Sequence, residues 1–184
     1  MTTRKVARRS PGAVRQRRGA VREPTLECTG LPAAWRASAF PERETSILLD
    51  THVWIWTLDD TPGMLHSAVR GLVDRAARAR RLFVSEFSFW EVAMLVSKGR
   101  LRLGSDVVSW LERAALAPGV LTVPVTRDVL VHSTRLPGDP HGDPADRILL
   151  VQAQVLGASL LTCDRGIIAY AARTPGIPVC DARR

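Results

Sequence analysis

Four carboxylates, Asp50, Glu91, Asp146 and Asp164, each sit in apolar company. Asp50 follows Ile47, Leu48 and Leu49, and Glu91 lies between Trp90 and Val92. Asp146 precedes Ile148, Leu149 and Leu150, and Asp164 follows Leu160 and Leu161. A carboxylate at the rim of a buried core loses hydration, and crowding several together raises their pKa values through like-charge repulsion. No set of lysines stands at matching positions to offset this. A divalent cation would do so. Ligation by oxygen alone, with waters retained, suits Mg²⁺ or Mn²⁺ better than zinc or copper.

Each acid also has a structural reading. Asp50 can end a strand as a turn residue, and Asp164 can cap a short helix. Glu91 stands three residues after Ser88, the spacing of a capping box. Asp146 in a first helical turn complements the helix dipole. Asp143, just before Pro144, reads as a helix cap and not as a ligand.

The elements around these residues decide whether they can meet. The segment SILLD is a short apolar run ending in a carboxylate, as a buried parallel strand is. HSAVRGLVDRAARAR places Ala68, Leu72, Val73 and Ala76 on one helical stripe. LFVS predicts a second strand, and EFSFWEVAMLVSKGR a mostly apolar helix stopped at Gly99. SDVVSWLERAAL predicts another helix, ended by Pro118-Gly119, before a third strand in LTVPV. The helix TRDVLVHSTRL leads into a loop rich in Pro, Gly and Asp. Asp143-Pro144 then opens the helix ADRILLVQAQVL, which stops at Gly157. SLLTC is the fourth strand, followed by Asp164, a short helix and a last strand in IPVC. Alternation of strands and helices predicts an α/β fold with a central parallel sheet covered on both faces. In such a sheet, strand carboxyl ends and the starts of the following helices share one edge, where ligands bind. Asp50, Glu91 and Asp164 belong to that edge, and Asp146 joins them if its helix points the same way.

The chain has 184 residues, which suits one domain with a full core. Its net charge of +8 is concentrated at the N-terminus, where residues 1–45 hold 10 of the 26 Lys and Arg but 4 of the 18 Asp and Glu. The expected organisation is a basic, disordered extension over 1–45 and a folded domain over 46–184. Such an arm can hold RNA through its phosphates, or can be an extension without function. Cys28, Cys163 and Cys180 are an odd number without CxxC spacing, which argues against a disulfide framework or a zinc knuckle. His52, His66, His132 and His141 are scattered. No apolar run approaches the roughly 20 residues of a membrane span, and no secretory leader is visible, so a cytoplasmic location is expected.

LLDTHVWIW, SEFSFWEVAMLVSKGRLRL, HGDPADRILLVQAQ and LLTCDRG, in that order, resemble the PIN-domain ribonucleases, and most of all the VapC-type toxins of toxin–antitoxin pairs. The resemblance runs from about Ser46 to the C-terminus, and its most specific pieces are LDTH and DPADRILLVQAQ. It implies a PIN-like three-layer α/β/α fold and dependence on Mg²⁺ or Mn²⁺. It also implies endonuclease action on structured RNA (tRNA or ribosomal RNA), a cognate antitoxin and a homodimer. Asp50, Glu91, Asp146 and Asp164 then match the family's catalytic metal ligands, and Thr51 and Thr162 its small polar neighbours. The basic extension departs from the compact family pattern, and so does Cys163, where a small residue such as alanine is expected.

On that reading Asp50 and Asp146 ligate the principal metal, with Glu91 and Asp164 completing the shell directly or through water. Arg147 and Arg165 each follow a site acid and can contact phosphate or form surface salt bridges. Trp54, Trp56 and Trp90 are expected in the core or at a subunit interface before any role in base stacking. A phosphatase of the haloacid dehalogenase type requires a second aspartate where this chain has His52. The remaining alternative is a PIN-like module that binds RNA or protein without cutting.

Overall fold

Ile47, Leu48 and Leu49 form the first strand, β1 (Ile47–Leu49), and are buried completely. Side chains alternate across a strand, so Ile47 and Leu49 enter one apolar cluster and Leu48 the other. Each fully buried Leu or Ile contributes about 1.5–3 kcal/mol relative to exposure, which ties layers on both faces to this strand. The computed structural model describes residues 46–59, 65, 67–140 and 142–183. The predicted extension, His66 and His141 lie outside the described residues.

After β1 the chain forms α1 (Thr51–Leu58) and α2 (Ser67–Arg78), then β2 (Leu82–Ser85), α3 (Glu86–Ser97) and α4 (Val107–Ala115). It continues through β3 (Val120–Val123), α5 (Arg127–Ser133), α6 (Pro144–Leu156), β4 (Ser159–Thr162), α7 (Arg165–Arg173) and β5 (Val179–Asp181). Every strand pairing is parallel, in the order β3-β2-β1-β4-β5. One layer packs Val53 and Trp54 of α1, Val69 and Val73 of α2, Val92 of α3 and Trp110 of α4 against Ile47 and Leu49. The other packs Val129 of α5, Leu149 of α6, and Ile167 and Tyr170 of α7 against Leu48 and Leu160. The result is the expected α/β/α arrangement. The strand order reverses between β1 and β4, so their crossovers leave in opposite directions and open a crevice at their carboxyl ends.

Three details differ from the sequence expectation. The helix α1 was not anticipated, because THVWIWTL is apolar on most sides and rich in β-branched and aromatic residues of modest helix propensity. Burial of Val53, Trp54 and Ile55 against the sheet overrides that propensity. The strand β3 begins at Val120 and stops before Pro124, which has no N–H to offer a ladder. The last strand starts only at Val179, although the Pro178 carbonyl already accepts a bond of 2.8 Å from Leu160 N. Among the tryptophans, Trp54 lies in the core between Phe89 and Trp110, with ring centroids at 5.0 and 5.5 Å. Trp56 is half-buried against the same cluster, and Trp90 is 57% exposed. No helix among the described residues is long and apolar enough to cross a membrane.

The entry into β3 depends on one glycine. Val120 N bonds to Ala117 O at 3.1 Å around Pro118-Gly119, and Gly119 has φ +80°, the demand of a type II turn. A Cβ there would lie 2.4 Å from the Ala77 carbonyl oxygen at the end of α2. Gly119→Ala is therefore expected to lower stability by about 1–3 kcal/mol, measured by urea unfolding, because left-handed strain and a backbone clash act together. An unchanged midpoint would show that the turn relaxes freely.

Candidate active site at the carboxyl ends of β1 and β4

Asp50 leaves β1 at the point where the strand order reverses. Its N–H bonds to Leu161 O at 3.0 Å, extending the ladder with β4 by one residue, while its carbonyl accepts the first helical bond of α1 from Trp54 N at 2.8 Å. Its side chain makes no cap bond to that helix. The carboxylate instead accepts a hydrogen bond from the Thr162 hydroxyl, and both residues are buried. The same Thr162 oxygen accepts from Asp164 N–H at 2.9 Å. Since the amide can only donate, the Thr162 proton is directed at Asp50, and one hydroxyl links the ends of β1 and β4.

Thr51, the next residue and fully buried, does the equivalent work toward α3. Its Oγ1 lies 2.7 Å from Glu91 Oε2 and 2.9 Å from Ser88 Oγ. A carboxylate accepts only, so Thr51 donates to Glu91 and receives from Ser88. This overturns the capping-box reading of Glu91. The residue that caps α3 is Ser85, whose side chain accepts from Phe87 N at 3.0 Å, and Ser88 is already the third residue of the helix.

Asp143 caps α6 by accepting from Ala145 N at 2.9 Å, which leaves Asp146 in the first turn facing the rim. Burial pushes the Asp146 carboxyl up to about 7, and the charges of Asp143, Asp50, Asp164 and Glu91 push in the same direction. All three other predicted acids therefore act on Asp146, and its helix does point to their edge. Burial likewise raises Asp50 against the lowering effects of Thr162 and His52, and Asp164 adds to the rise. Asp164 has a double character, because its Oδ1 accepts from Ile167 N at 2.9 Å and so caps α7 at the same edge.

Among the described residues, no group of three or more His, Cys, Asp or Glu side chains is drawn together tightly enough to hold an ion as it stands. Asp50 leans to Thr162, Glu91 to Thr51, and Asp164 to its own helix N-terminus. The donor set still fits a hard cation in its chemistry: oxygen donors, partly desolvated, where burial first and neighbouring carboxylates second raise Asp146 to about 7.

Sequence reading missed several residues at this edge. Ser88 was assigned to a cap, and Asp181 and Arg183 carry no motif at all. Asp181 ends β5 directly beside Thr162, and Arg183 pairs with it at 2.9 Å. The departure at Cys163 is electrostatically quiet. Burial raises the thiol, Asp50 and Asp181 add to this, and Arg183 opposes it, so the group stays protonated. Arg165 is exposed at the start of α7, and the charge of Arg147 reaches Tyr170 in the second layer.

The raised acids make the metal-free protein pH-sensitive. Asp146 binds its proton more tightly folded, at about 7, than at its ordinary value of 3.8. Between those values the folded state holds more protons than the unfolded one, so stability falls as pH rises through the window. In EDTA, the melting temperature is expected to increase from about pH 8 to about pH 5 by way of this group, and Asp146→Asn is expected to flatten the trend while stabilising the protein near neutrality. A wild-type slope retained by Asp146→Asn would remove Asp146 as its source.

Residues 47–173 match the PIN domain, a span that holds all four carboxylates and both threonines. Ribonuclease VapC22 of Mycobacterium tuberculosis (strain ATCC 25618 / H37Rv) is 35% identical over 126 residues, which cover 68% of this chain and 92% of that protein. A parallel sheet with its acids at the reversal point, a match over most of the chain and this degree of identity agree with one another. The chain belongs to the PIN-domain family, with a VapC-type protein as its relative.

Proposed function

We propose that the chain is a divalent-metal-dependent endoribonuclease and the toxin of a toxin–antitoxin pair. The observation that carries this reading is the convergence of Glu91, Asp146 and Asp164 on the edge where Asp50 ends β1, felt by Asp146 as the charges of the others. The likeness to a protein named Ribonuclease VapC22 supports RNA as substrate and a cognate antitoxin as partner. A structured RNA such as tRNA or ribosomal RNA, a homodimeric assembly and a cytoplasmic setting complete the proposal.

Asp50 and Asp146 would hold Mg²⁺ or Mn²⁺, with Glu91 and Asp164 completing the shell directly or through water. When bound, such an ion lowers the pKa of a water and neutralises charge developing on the scissile phosphate. The chain's own groups orient the ligands. Thr162 keeps the Asp50 carboxylate turned toward β4, and Thr51 holds Glu91 at the start of the crevice. Both threonines are fully buried, so these orientations are shielded from competing water.

Purified protein incubated with RNA and Mg²⁺ or Mn²⁺ is expected to cut it, with EDTA, Asp50→Asn and Asp146→Asn each abolishing cleavage. Cleavage surviving both EDTA and the substitutions would sink the metal-site reading. Intact RNA with wild type, alongside retained RNA or antitoxin binding, would support a non-cleaving module instead. Thr162→Val removes the bond to Asp50 together with the one accepted from Asp164 N–H, and is expected to cost about ten- to a hundredfold in activity, measured as the initial cleavage rate.

A further inference from the structure

Resting on the ribonuclease reading, we propose that Arg183 anchors a phosphate of the RNA backbone beside the carboxylate rim, with Asp181 as its positioning residue. Both lie beyond the residues matched to the PIN domain. In register, Asp181 sits opposite Thr162, and Ala182 N bonds to Thr162 O at 2.9 Å, so the chain after β5 runs along the end of β4. Thr162 is the residue that binds Asp50, which puts the Asp181–Arg183 unit one strand away from the rim.

The unit is built to aim a guanidinium. Asp181 Oδ1 accepts from the Arg183 backbone N at 3.0 Å and from Nε at 2.9 Å, and Oδ2 accepts from Nη2 at 3.0 Å. These bonds occupy one edge of the planar fork and leave the Nη1 protons and one Nη2 proton for another partner. The Arg183 side chain is 39% exposed while that of Asp181 is 14% exposed, so the anchor is covered and the cation faces solvent. Asp181, through its hydrogen bonds and charge, holds Arg183 firmly protonated, and Asp164 is close enough to contribute.

A rim of carboxylates repels the polyanion it is meant to meet. A cation near Asp164 counters that repulsion, but a freely mobile one would collapse onto the acids and neutralise them. Clamping Arg183 through Asp181 keeps it at the rim and out of the crevice. An exposed ion pair adds little to stability on its own, so folding alone gives weak reason for this three-bond arrangement.

The test uses the full chain in EDTA with a fluorescently labelled RNA hairpin, following anisotropy across a salt series. Arg183→Gln is expected to weaken binding about three- to tenfold and to reduce the salt slope by about one. Arg113→Gln, an equal loss of charge on α4, is expected to do neither. Arg183→Lys keeps the charge without the fork and is expected to keep the slope while losing part of the affinity, which provides a reading if the Gln variant fails to fold. Arg183→Gln matching Arg113→Gln in affinity and slope, or Arg183→Lys binding as wild type does, would overturn the proposal. Cleavage is measured separately in Mg²⁺. Arg183-dependent binding by a wild type that cuts nothing would remove the nuclease reading and leave the phosphate contact standing.

Discussion

A carboxylate at the end of a central, fully buried strand is the condition around which the molecule is arranged. Asp50 loses most of its hydration at that position, and its surroundings must compensate. Thr162 supplies the hydrogen bond from β4, and Asp164 N–H fixes the orientation of Thr162 in turn. Because that chain of bonds crosses from one strand to the next, it holds only if β1 and β4 are neighbours in the observed register. The charge at the rim and the pairing of the two strands are thus one structural problem.

The three layers follow from the same strand. Alternation along Ile47, Leu48 and Leu49 commits one apolar cluster to each face, and helices from both halves of the chain are needed to fill them. The reversal of strand order between β1 and β4 separates the connecting helices and leaves space above the two carboxyl ends. The first turns of α6 and α7, with their acids Asp146 and Asp164, lie at that edge. Asp143 and Ser85 cap α6 and α3, and Asp164 caps α7 at the same edge.

Much of this was legible in the residues themselves. The apolar runs SILLD and SLLTC marked the buried parallel strands, and Asp143-Pro144 marked the start of α6, because these are local signals. Nearby contacts with nonlocal causes were hidden. The helix α1 lacks an amphipathic stripe, since it is covered on most sides, and so leaves no period to detect. Ser88 imitates a capping box in spacing, and only the approach of Thr51 from another element shows where its hydroxyl goes. Asp181 and Arg183 acquire meaning through the pairing of β5 with β4, which no short motif encodes. The boundary of the N-terminal extension remains an expectation from composition.

The hydrogen bond between Thr162 and Asp50 joins residues 112 positions apart. Contacts of such separation form slowly, because a long loop must close before any pairing rewards it. During synthesis, β1 emerges long before its partner β4, and β2 can pair with it first. The rim therefore assembles late, after the chain through Asp164 has been made. Until then the acids stand apart along the chain, and the rim is a property of the completed sheet and of no single segment.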